Sequence, residues 1–505
     1  MAAEQTHVMA SLICVSVGRG RHRHLIAEYK HLAEQGAKLV ELRLDFVQTA
    51  VNLKRILRER FCPVVITVRR SKDGGIWKGT EKQRLLLIRT AIAEGVDYID
   101  LEEDIAGEIP RYGSTKRIIS YHNFQETPDD LEAIHARLSK LQPDVVKLAT
   151  MAHSPHDNLR MLRLVRDAQV PTSGLCMGDI GTPSRILAGK MGAPFTYATF
   201  HIERTMAPGQ LSFATMRDVY RYEKIGPETE VYGVIADPVA HSMSPLIHNA
   251  GFAQLALNKV YLPFRVPREH LEQFLSEAEE LGIQGLSVTI PHKEAVLPLL
   301  TERDEAVQGI GAANTILIRN GRRTGYNTDA QAAVASVEHT MALPGERALV
   351  GKQALVLGAG GVARAVVFGL KRRGADVVIA SRTLERAEGL AMDMKARAVG
   401  WAQRHTIKAD MVINCTPVGM HPNVNETPYD GVNLNPECVV FDTVYNPEQT
   451  LLIKQSREVG CTAITGVDMF VGQAAVQFKH FTGQDAPLEI MRNVLRRAIS
   501  AARPA

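Results

Sequence analysis

RDVYRYEKIGPETEVYGVIADP, from Arg217 to Pro238, decides how the rest of the chain is organised. Its charged run and its Gly226-Pro227 pair are unsuited to a strand interior. Directly after them, YGVIADP opens a new apolar strand. Upstream, short apolar strands and longer helical segments alternate to a finish. Downstream, a different set of motifs begins. The stretch reads as a boundary between two globular units, although a surface helix and turn within one large fold has the same composition. Length favours the boundary, because 505 residues exceed what a single core usually organises.

The totals narrow the function classes. Lys and Arg number 59 against 55 Asp and Glu, a formal net charge of only +4, with no basic tract and no aromatic-interleaved basic stripe. Nucleic acid is therefore not an expected partner. Cys14, Cys62, Cys176, Cys415, Cys438 and Cys461 are scattered, with no CxxC pair. That pattern indicates reduced thiols and argues against a zinc site, so no metal is expected. The beginning of the sequence lacks the basic-then-apolar layout of a signal peptide, and no apolar run reaches membrane-spanning length. The expected compartment is the cytoplasm or the stroma of an organelle.

Upstream of the boundary, eight short β-branched runs read as strands. They are LICVSV from Leu12, KLVELRL from Lys38, PVVITVR from Pro63, YIDLE from Tyr98, RIISYH from Arg117, VVKLAT from Val145, TSGLCMG from Thr172 and TYATF from Thr196. Helical segments such as LKRILRERF separate them. Strands of this kind suit a parallel sheet buried on both faces. Eight such units in roughly 200 residues match a TIM barrel, and the lack of a Gly-rich phosphate loop disfavours an open doubly wound sheet.

Polar residues fall where a barrel places its chemistry, near the C-terminal ends of the strands. Glu41 and Arg43 lie in the second, Arg69 ends the third, His122 the fifth, and Lys147 sits within the sixth. Arg185 follows the seventh and Gln210 the eighth. A lysine inside VVKLAT is costly without a partner, and burial that disfavours its charge makes the amine a nucleophile. A rim position or a structural ion pair is the alternative. His122 is suited to moving protons around an imine. Three arginines on one face suit a carboxylate-bearing substrate, or else pair with Glu41, Asp45 or Glu102.

The ordered fragments ELRLD, TVRRSKDGG, SYHNF, VVKLAT, GTPSR and MAPGQ resemble type I 3-dehydroquinate dehydratases over about residues 8–215. The resemblance implies a Schiff base on Lys147 and proton transfer by His122. It implies substrate contacts from Ser16, Glu41, Arg43, Arg69, Arg185 and Gln210. Asp73 stands where the family usually has a glutamate that orients the histidine. Met206 stands near the position of a small hydroxyl residue that touches substrate.

Downstream of the boundary, HSMSP opens a helix with Ser242 and Ser244 as hydroxyl donors or as caps. GLSVTIPHK delivers Thr289 and Lys293, GAANT presents Asn314 and GYNTD presents Asp329. The lysine and aspartate suit a proton-transfer pair or a plain ion pair. KQALVLGAGGVARAVVFGLKRRGADVVIASR is the strongest local signal. An apolar strand runs into Gly358, Ala359, Gly360, Gly361 and Val362 and then into a helix, the context of a dinucleotide loop. The following strand ends in Ser381, Arg382, Thr383 and Arg386 rather than in an acid, which favours a 2′-phosphate and hence NADP.

HSMSP, VTIPHK, GAANT, NTD, GAGGVAR, SRTLER, NCTPVGM, DTVYNP and GVDMFVGQAAVQF together resemble shikimate dehydrogenases over about residues 230–485. Lys293 and Asp329 match that family's catalytic pair. Ser242, Ser244, Thr289, Asn314, Tyr445 and Gln473 match its substrate contacts, and Thr443 and Gly466 match positions beside the nicotinamide. Ser287, Ala330 and Ala332 depart from the family's usual Asn and Gly, which leaves quinate oxidation open. The two resemblances imply consecutive reactions on small anionic cyclic hydroxy acids. The expected architecture is α/β, with a TIM barrel over 1–222 and a two-lobed reductase over 228–505. Within the reductase, 228–340 plus 468–505 form the substrate lobe and 341–467 a Rossmann NADP lobe. About 20 residues separate MAPGQ from the next strand, which predicts two closely held units.

Overall fold

The computed structural model of the protein describes residues 11–342 and 348–501. Residues 1–10, 343–347 and 502–505, which fall inside the expected domain spans, lie outside the described residues. The chain forms two compact units. The first runs up to Val231 and includes Asp237–Ala240 and Asn258–Gly282; the second holds Tyr232–Ala236, His241–Leu257 and the chain from Ile283 onward.

In the first unit all eight expected strands are present. They are β1 (Leu12–Gly18), β2 (Leu39–Arg43), β3 (Val64–Thr67), β4 (Tyr98–Glu102), β5 (Lys116–Asn123), β6 (Val145–Met151), β7 (Thr172–Met177) and β8 (Phe195–Thr199). The ladder runs β7-β6-β5-β4-β3-β2-β1-β8. Between β7 and β8 the Ser173 hydroxyl donates to the Phe195 carbonyl at 2.8 Å, so the barrel is nearly closed. Because successive side chains alternate across a strand, Val146 and Leu148 face the helices while Lys147 and Ala149 face the interior, all four buried. Cys14, Leu39, Val65, Ile118, Val145 and Phe195 fill the barrel interior with an apolar cluster.

Residues 217–225 are not a loose linker. A π-helical turn Thr215–Val219 and a 3-10 turn Tyr222–Lys224 carry the chain. Tyr222 is fully buried, and its hydroxyl pairs with Ser11 Oγ at 2.7 Å. The charged side chains point outward, with Arg217 on the Gln35 carbonyl at 2.9 Å and Glu223 bonded to Lys38.

Beyond the boundary come β9 (Glu230–Ala236), β10 (Lys259–Arg265), β11 (Ile283–Val288), β12 (Glu302–Arg303), β13 (Thr315–Arg319) and β14 (Arg322–Tyr326). The remaining strands are β15 (Gln353–Leu357), β16 (Asp376–Ser381), β17 (Arg397–Gly400), β18 (Met411–Asn414), β19 (Val439–Asp442) and β20 (Thr462–Ile464). In the second unit, β11 pairs antiparallel with β13, β13 with β14, and β14 runs parallel to β12. The last six strands form a parallel sheet in the order β17-β16-β15-β18-β19-β20. That order reverses direction between β15 and β18, the switch point at which dinucleotides bind in such sheets. The helix Gly466–Thr482 returns toward β11 and β13: Gln477 donates to Thr315 Oγ1 at 2.9 Å and accepts from Ser287 Oγ at 2.7 Å. Ser287 is thus engaged by the C-terminal helix.

Two candidate active sites

One cavity of about 510 Å³, counted to its open mouth, is lined by Ser16, Glu41, Arg43, Arg69, Asp73, His122, Lys147, Arg185, Met206 and Gln210. These are all ten of the barrel residues singled out in the sequence. Lys147 Nζ lies 3.2 Å from Asp100 Oδ2 and 3.6 Å from Glu41 Oε1. In the sequence the lysine read as a nucleophile, or as a rim or ion-paired residue; the structure gives it two carboxylates. It also gives the ring of Tyr197, whose centroid is 3.9 Å from Nζ. Neither Asp100 nor Tyr197 was singled out in the sequence. Both occupy inward positions of strands read correctly, and that alternation was the available signal.

Each carboxylate is itself held. Glu41 accepts from Ser16 Oγ at 2.5 Å and from Thr67 Oγ1 at 2.8 Å. Burial works to raise the Glu41 carboxyl, but Lys147 and Arg43 outweigh it and keep it below the ordinary value. Asp100 accepts from Ser120 Oγ at 2.6 Å and pairs with Arg69 at 2.8 Å. Against a strong burial penalty, Arg69 and then Lys147 hold it far below the carboxylate range. Arg69 also reaches Glu102, and Arg84 pairs with the other oxygen of Glu102. Arg43 is bidentate on Asp45 at 2.9 and 2.8 Å.

The buried charges therefore balance: Lys147, Arg43, Arg69 and Arg84 against Glu41, Asp45, Asp100 and Glu102. Arg185 stands outside that balance. It is 1 % exposed, no carboxylate touches it among the described residues, and one Nη donates to the Pro208 carbonyl at 3.0 Å. Its Nε is buried without an acceptor, and burial pushes its pKa down to about 10. A buried surplus guanidinium facing a cavity is a receptor for an anion.

His122 is driven well below the ordinary histidine value by burial, then by Arg69 and Lys147. The imidazole is stacked near Phe124 with 6.3 Å between ring centroids. Asp73 shares the cavity, but its carboxylate accepts from Arg70 Nε at 2.7 Å. Met206 places its sulfur 3.8 Å from an Arg43 Nη. Gln210 accepts from the Met206 and Ala207 amides and so fixes the loop that carries Met206.

In the second unit Lys293 Nζ meets Asp329 Oδ2 at 2.5 Å. Thr289 directly follows β11 on the way to Lys293, and its amide donates to the Ile235 carbonyl at 3.2 Å. Asn314 is buried; its side chain accepts from the Thr328 amide at 2.9 Å and donates to the Thr328 hydroxyl at 2.9 Å, which seats Asp329. Ser242 Oγ accepts from the Ser244 amide at 3.3 Å at the start of the helix Ser244–Gln254. Met243, Tyr445 and Phe470 pack against one apolar cluster. Gln473 donates to the Phe470 carbonyl at 2.9 Å.

The glycine loop is shaped for a phosphate. Gly358 adopts φ +111, where an L side chain is strained, and its amide donates to the Ala380 carbonyl at 2.8 Å. A Cβ on Gly360 would meet nothing within 4 Å, and one on Gly361 only Lys293 Cδ at 3.8 Å. The space before the helix that starts at Gly361 is therefore open, and the loop adjoins the lysine. Ala359 and Val362 pack against the core beneath. Ser381 Oγ accepts from the Thr383 amide, and Arg382 and Arg386 are exposed, with no ion pair among the described residues. At the switch point, Thr443 donates its amide to the Asn414 carbonyl at 3.0 Å. A Cβ on Gly466 would strike the Val444 oxygen at 2.3 Å, so only glycine lets that helix start so close.

The chain is similar to known proteins over both units. A family profile described as Type I 3-dehydroquinase matches residues 13–227, and one described as the shikimate dehydrogenase substrate binding domain matches 234–316. The shikimate 5′-dehydrogenase C-terminal domain matches 466–496, and a coenzyme F420-dependent NADP oxidoreductase profile matches 353–445. A chloroplastic bifunctional 3-dehydroquinate dehydratase/shikimate dehydrogenase of Arabidopsis thaliana is 38% identical over 96% of this chain and 84% of its own length. A shikimate dehydrogenase (NADP(+)) of Methanopyrus kandleri is 44% identical over 54% of this chain and 96% of its own. A shikimate dehydrogenase crystallised with NADP+ superposes with a TM-score of 0.51 at 38% identity, covering 55% of this chain and 97% of that one.

Proposed function

The chain belongs to the family of bifunctional 3-dehydroquinate dehydratase/shikimate dehydrogenases, and we propose that its two constellations divide that family's two reactions between them. The protein is a lyase and an NADP-dependent oxidoreductase: it dehydrates 3-dehydroquinate to 3-dehydroshikimate, then reduces that ketone to shikimate. Its substrates are small cyclic hydroxy acids. The residue roles, the domain limits given above and the anionic form of the substrate are our own assignment.

In the barrel, Lys147 Nζ adds to the ketone carbon, and loss of water gives an imine. Neutral His122 takes the proton that the ammonium sheds and returns it to the hydroxyl that leaves as water, while Glu41 and Asp100, at 3.6 and 3.2 Å and held ionised, stabilise the cation on nitrogen. Neutral His122 removes a proton from the carbon beside the imine and returns it to the departing hydroxyl. Arg185 carries the substrate carboxylate, with Ser16, Arg43, Arg69, Met206 and Gln210 enclosing the ring. Asp73 orients His122, which requires its carboxylate to exchange Arg70 for the imidazole as substrate enters. The observation that carries this reading is the unmatched guanidinium of Arg185 beside a lysine whose own charge is fully compensated.

In the reductase, the open glycine loop and the free Arg382 and Arg386 fit the pyrophosphate and 2′-phosphate of NADP. Bound NADPH supplies a hydride to the keto carbon. Lys293 gives a proton to the oxygen that becomes a hydroxyl, and Asp329 holds its ammonium in place. Ser242, Ser244, Thr289, Asn314, Tyr445 and Gln473 hold the substrate; Thr443 and Gly466 flank the nicotinamide. All six cysteines are free thiols, and the Arabidopsis thaliana relative is chloroplastic, which supports a reducing compartment, cytoplasm or plastid stroma. No described helix is long and apolar enough to cross a membrane.

A coupled assay tests the assignment. 3-Dehydroquinate plus NADPH should consume NADPH with the wild-type chain and fail to with Lys147→Ala, whereas 3-dehydroshikimate plus NADPH should work with both. Borohydride reduction in the presence of 3-dehydroquinate should leave a mass adduct on the peptide that carries Lys147. An unmodified Lys147 would reduce the barrel to a binding module.

A further inference from the structure

The last residue of β19, Asp442, is wholly buried yet belongs to neither set of residues assigned above. Its Oδ1 accepts from Asn414 Nδ2 at 2.9 Å and from the Val444 amide at 3.0 Å. Its Oδ2 accepts from Thr450 Oγ1 at 2.6 Å. Each partner governs a different piece of the crevice. Asn414 ends β18 and gathers the turn that follows, accepting from the Thr416 amide and hydroxyl at 2.9 and 2.7 Å and donating to the Val418 carbonyl. Beside that turn, the Cys415 oxygen lies where a Cβ on Gly358 would meet it at 3.1 Å, so the turn abuts the glycine loop. Val444 lies between Thr443 and Tyr445, and its carbonyl is the surface on which Gly466 rests. Thr450 caps the helix Leu451–Val459 through the Ile453 amide.

A carboxylate in this place is expensive. Burial raises the Asp442 carboxyl to about 6 despite the three donors, and no ion pair holds it among the described residues. A site that needed only filling would accept an apolar side chain without that cost. What the carboxylate adds is geometry: two oxygens that accept from three donors on three segments, with charge-assisted bonds stronger than neutral ones.

We propose that Asp442 is a positioning residue for hydride transfer, fixing the Cys415–Gly419 and Thr443–Tyr445 loops so that nicotinamide and substrate meet at the required separation. This rests on the assignment of Thr443 and Gly466 to the nicotinamide and Tyr445 to the substrate. Displacing reacting groups by even an ångström is enough to slow a reaction severely.

The test uses the full chain, whose dehydratase activity reports on the rest of the protein. Asp442→Asn keeps the shape but loses the charge, and Thr450→Val removes one donor. Both should lower kcat for 3-dehydroshikimate reduction by about tenfold or more, while Thr450→Ser, which restores the hydroxyl, stays within about twofold. The primary isotope effect on kcat with NADPH deuterated at the transferred position should rise in Asp442→Asn, because the chemical step has become limiting. Affinity for 2′,5′-ADP, which reads only the Arg382 end, should not change. Unchanged kcat in both variants, or loss of 2′,5′-ADP binding in parallel with kcat, overturns the proposal. Tyr445→Phe separates the two layers of argument: if it leaves the shikimate KM untouched, the assignment of the loop to the substrate falls and the proposal with it. If it raises KM while Asp442→Asn is silent, only the positioning role falls.

Discussion

Lys147 and Lys293, the two amines to which we assign the chemistry, are held in opposite ways. Lys147 sits mid-strand inside a barrel, 7% exposed, between two carboxylates that are each bonded to further side chains. Lys293 follows a strand on a turn, 16% exposed, with one carboxylate and a glycine loop beside it. The difference follows from the chemistry. A nucleophile that becomes covalently attached must be walled off from water, and a buried ammonium survives only where counter-charges are arranged around it. A proton donor that serves a separately arriving cofactor and substrate must stay within reach of both, and one oriented partner suffices.

The contrast predicts unequal stability costs. Asp100→Ala leaves Lys147 and Arg69 short of a counter-charge deep in the barrel and should destabilise it by about 3–5 kcal/mol. Asp329→Ala removes one carboxylate from a pair whose lysine keeps some access to water, and should cost less than Asp100→Ala while still crippling reduction. Urea midpoints for the two variants measure this directly. Equal losses would mean that the barrel network is not a cooperative assembly, and the contrast would collapse.

That network marks the limit of what the sequence disclosed. Lys147 was legible because a charge within VVKLAT violates its surroundings, and the eight strands because β-branched runs recur between helices. Glu41, Arg43, Arg69 and His122 followed from their places at strand ends. What pairs with what depended on barrel register, which no linear pattern encodes. Asp100 and Tyr197 approach Lys147 from β4 and β8, and only sheet closure makes those strands its neighbours across the interior. Arg185 could be read as an arginine near the mouth; that it alone lacks a carboxylate emerges only once Arg43 and Arg69 are found bonded to Asp45, Asp100 and Glu102. In the reductase the glycine loop was legible because strand, glycines and helix are contiguous. Asp442 was hidden, because its three donors come from three separate segments.

A second way to sharpen the contrast is pH. Burial, then Arg69 and Lys147, hold folded His122 well below 6.5. The unfolded chain therefore takes up the proton first, and the folded state loses stability as pH falls below about 6.5, by roughly 1 kcal/mol over the first unit. His122→Gln should flatten that slope. Urea midpoints at neutral and mildly acidic pH, compared between wild type and variant, supply the measurement. Identical slopes would show that the imidazole is solvated and that the cavity is less closed than the barrel charges imply.

The smallest effect belongs to the exposed rim of the reductase. Arg382 follows β16, whose Ala380 carbonyl receives the Gly358 amide at 2.8 Å, so its backbone leaves the strand next to the glycine loop. It is solvent-exposed and has no ion pair among the described residues, so removing it leaves no orphaned charge and should not unfold anything. A 2′-phosphate held at such a surface gains one charge-assisted bond in high dielectric, which amounts to about tenfold in affinity. Arg382→Ala should therefore raise the NADPH KM by about that factor, leave kcat nearly constant, and leave NADH use unaffected, since NADH has no group for the arginine to grip. A variant whose kcat/KM for NADPH is unchanged would move the 2′-phosphate clamp to Arg386 or to the Ser381–Thr383 turn. A fall in kcat would instead mean that the adenine end, like Lys147 in its barrel, is mechanically tied to the reacting atoms.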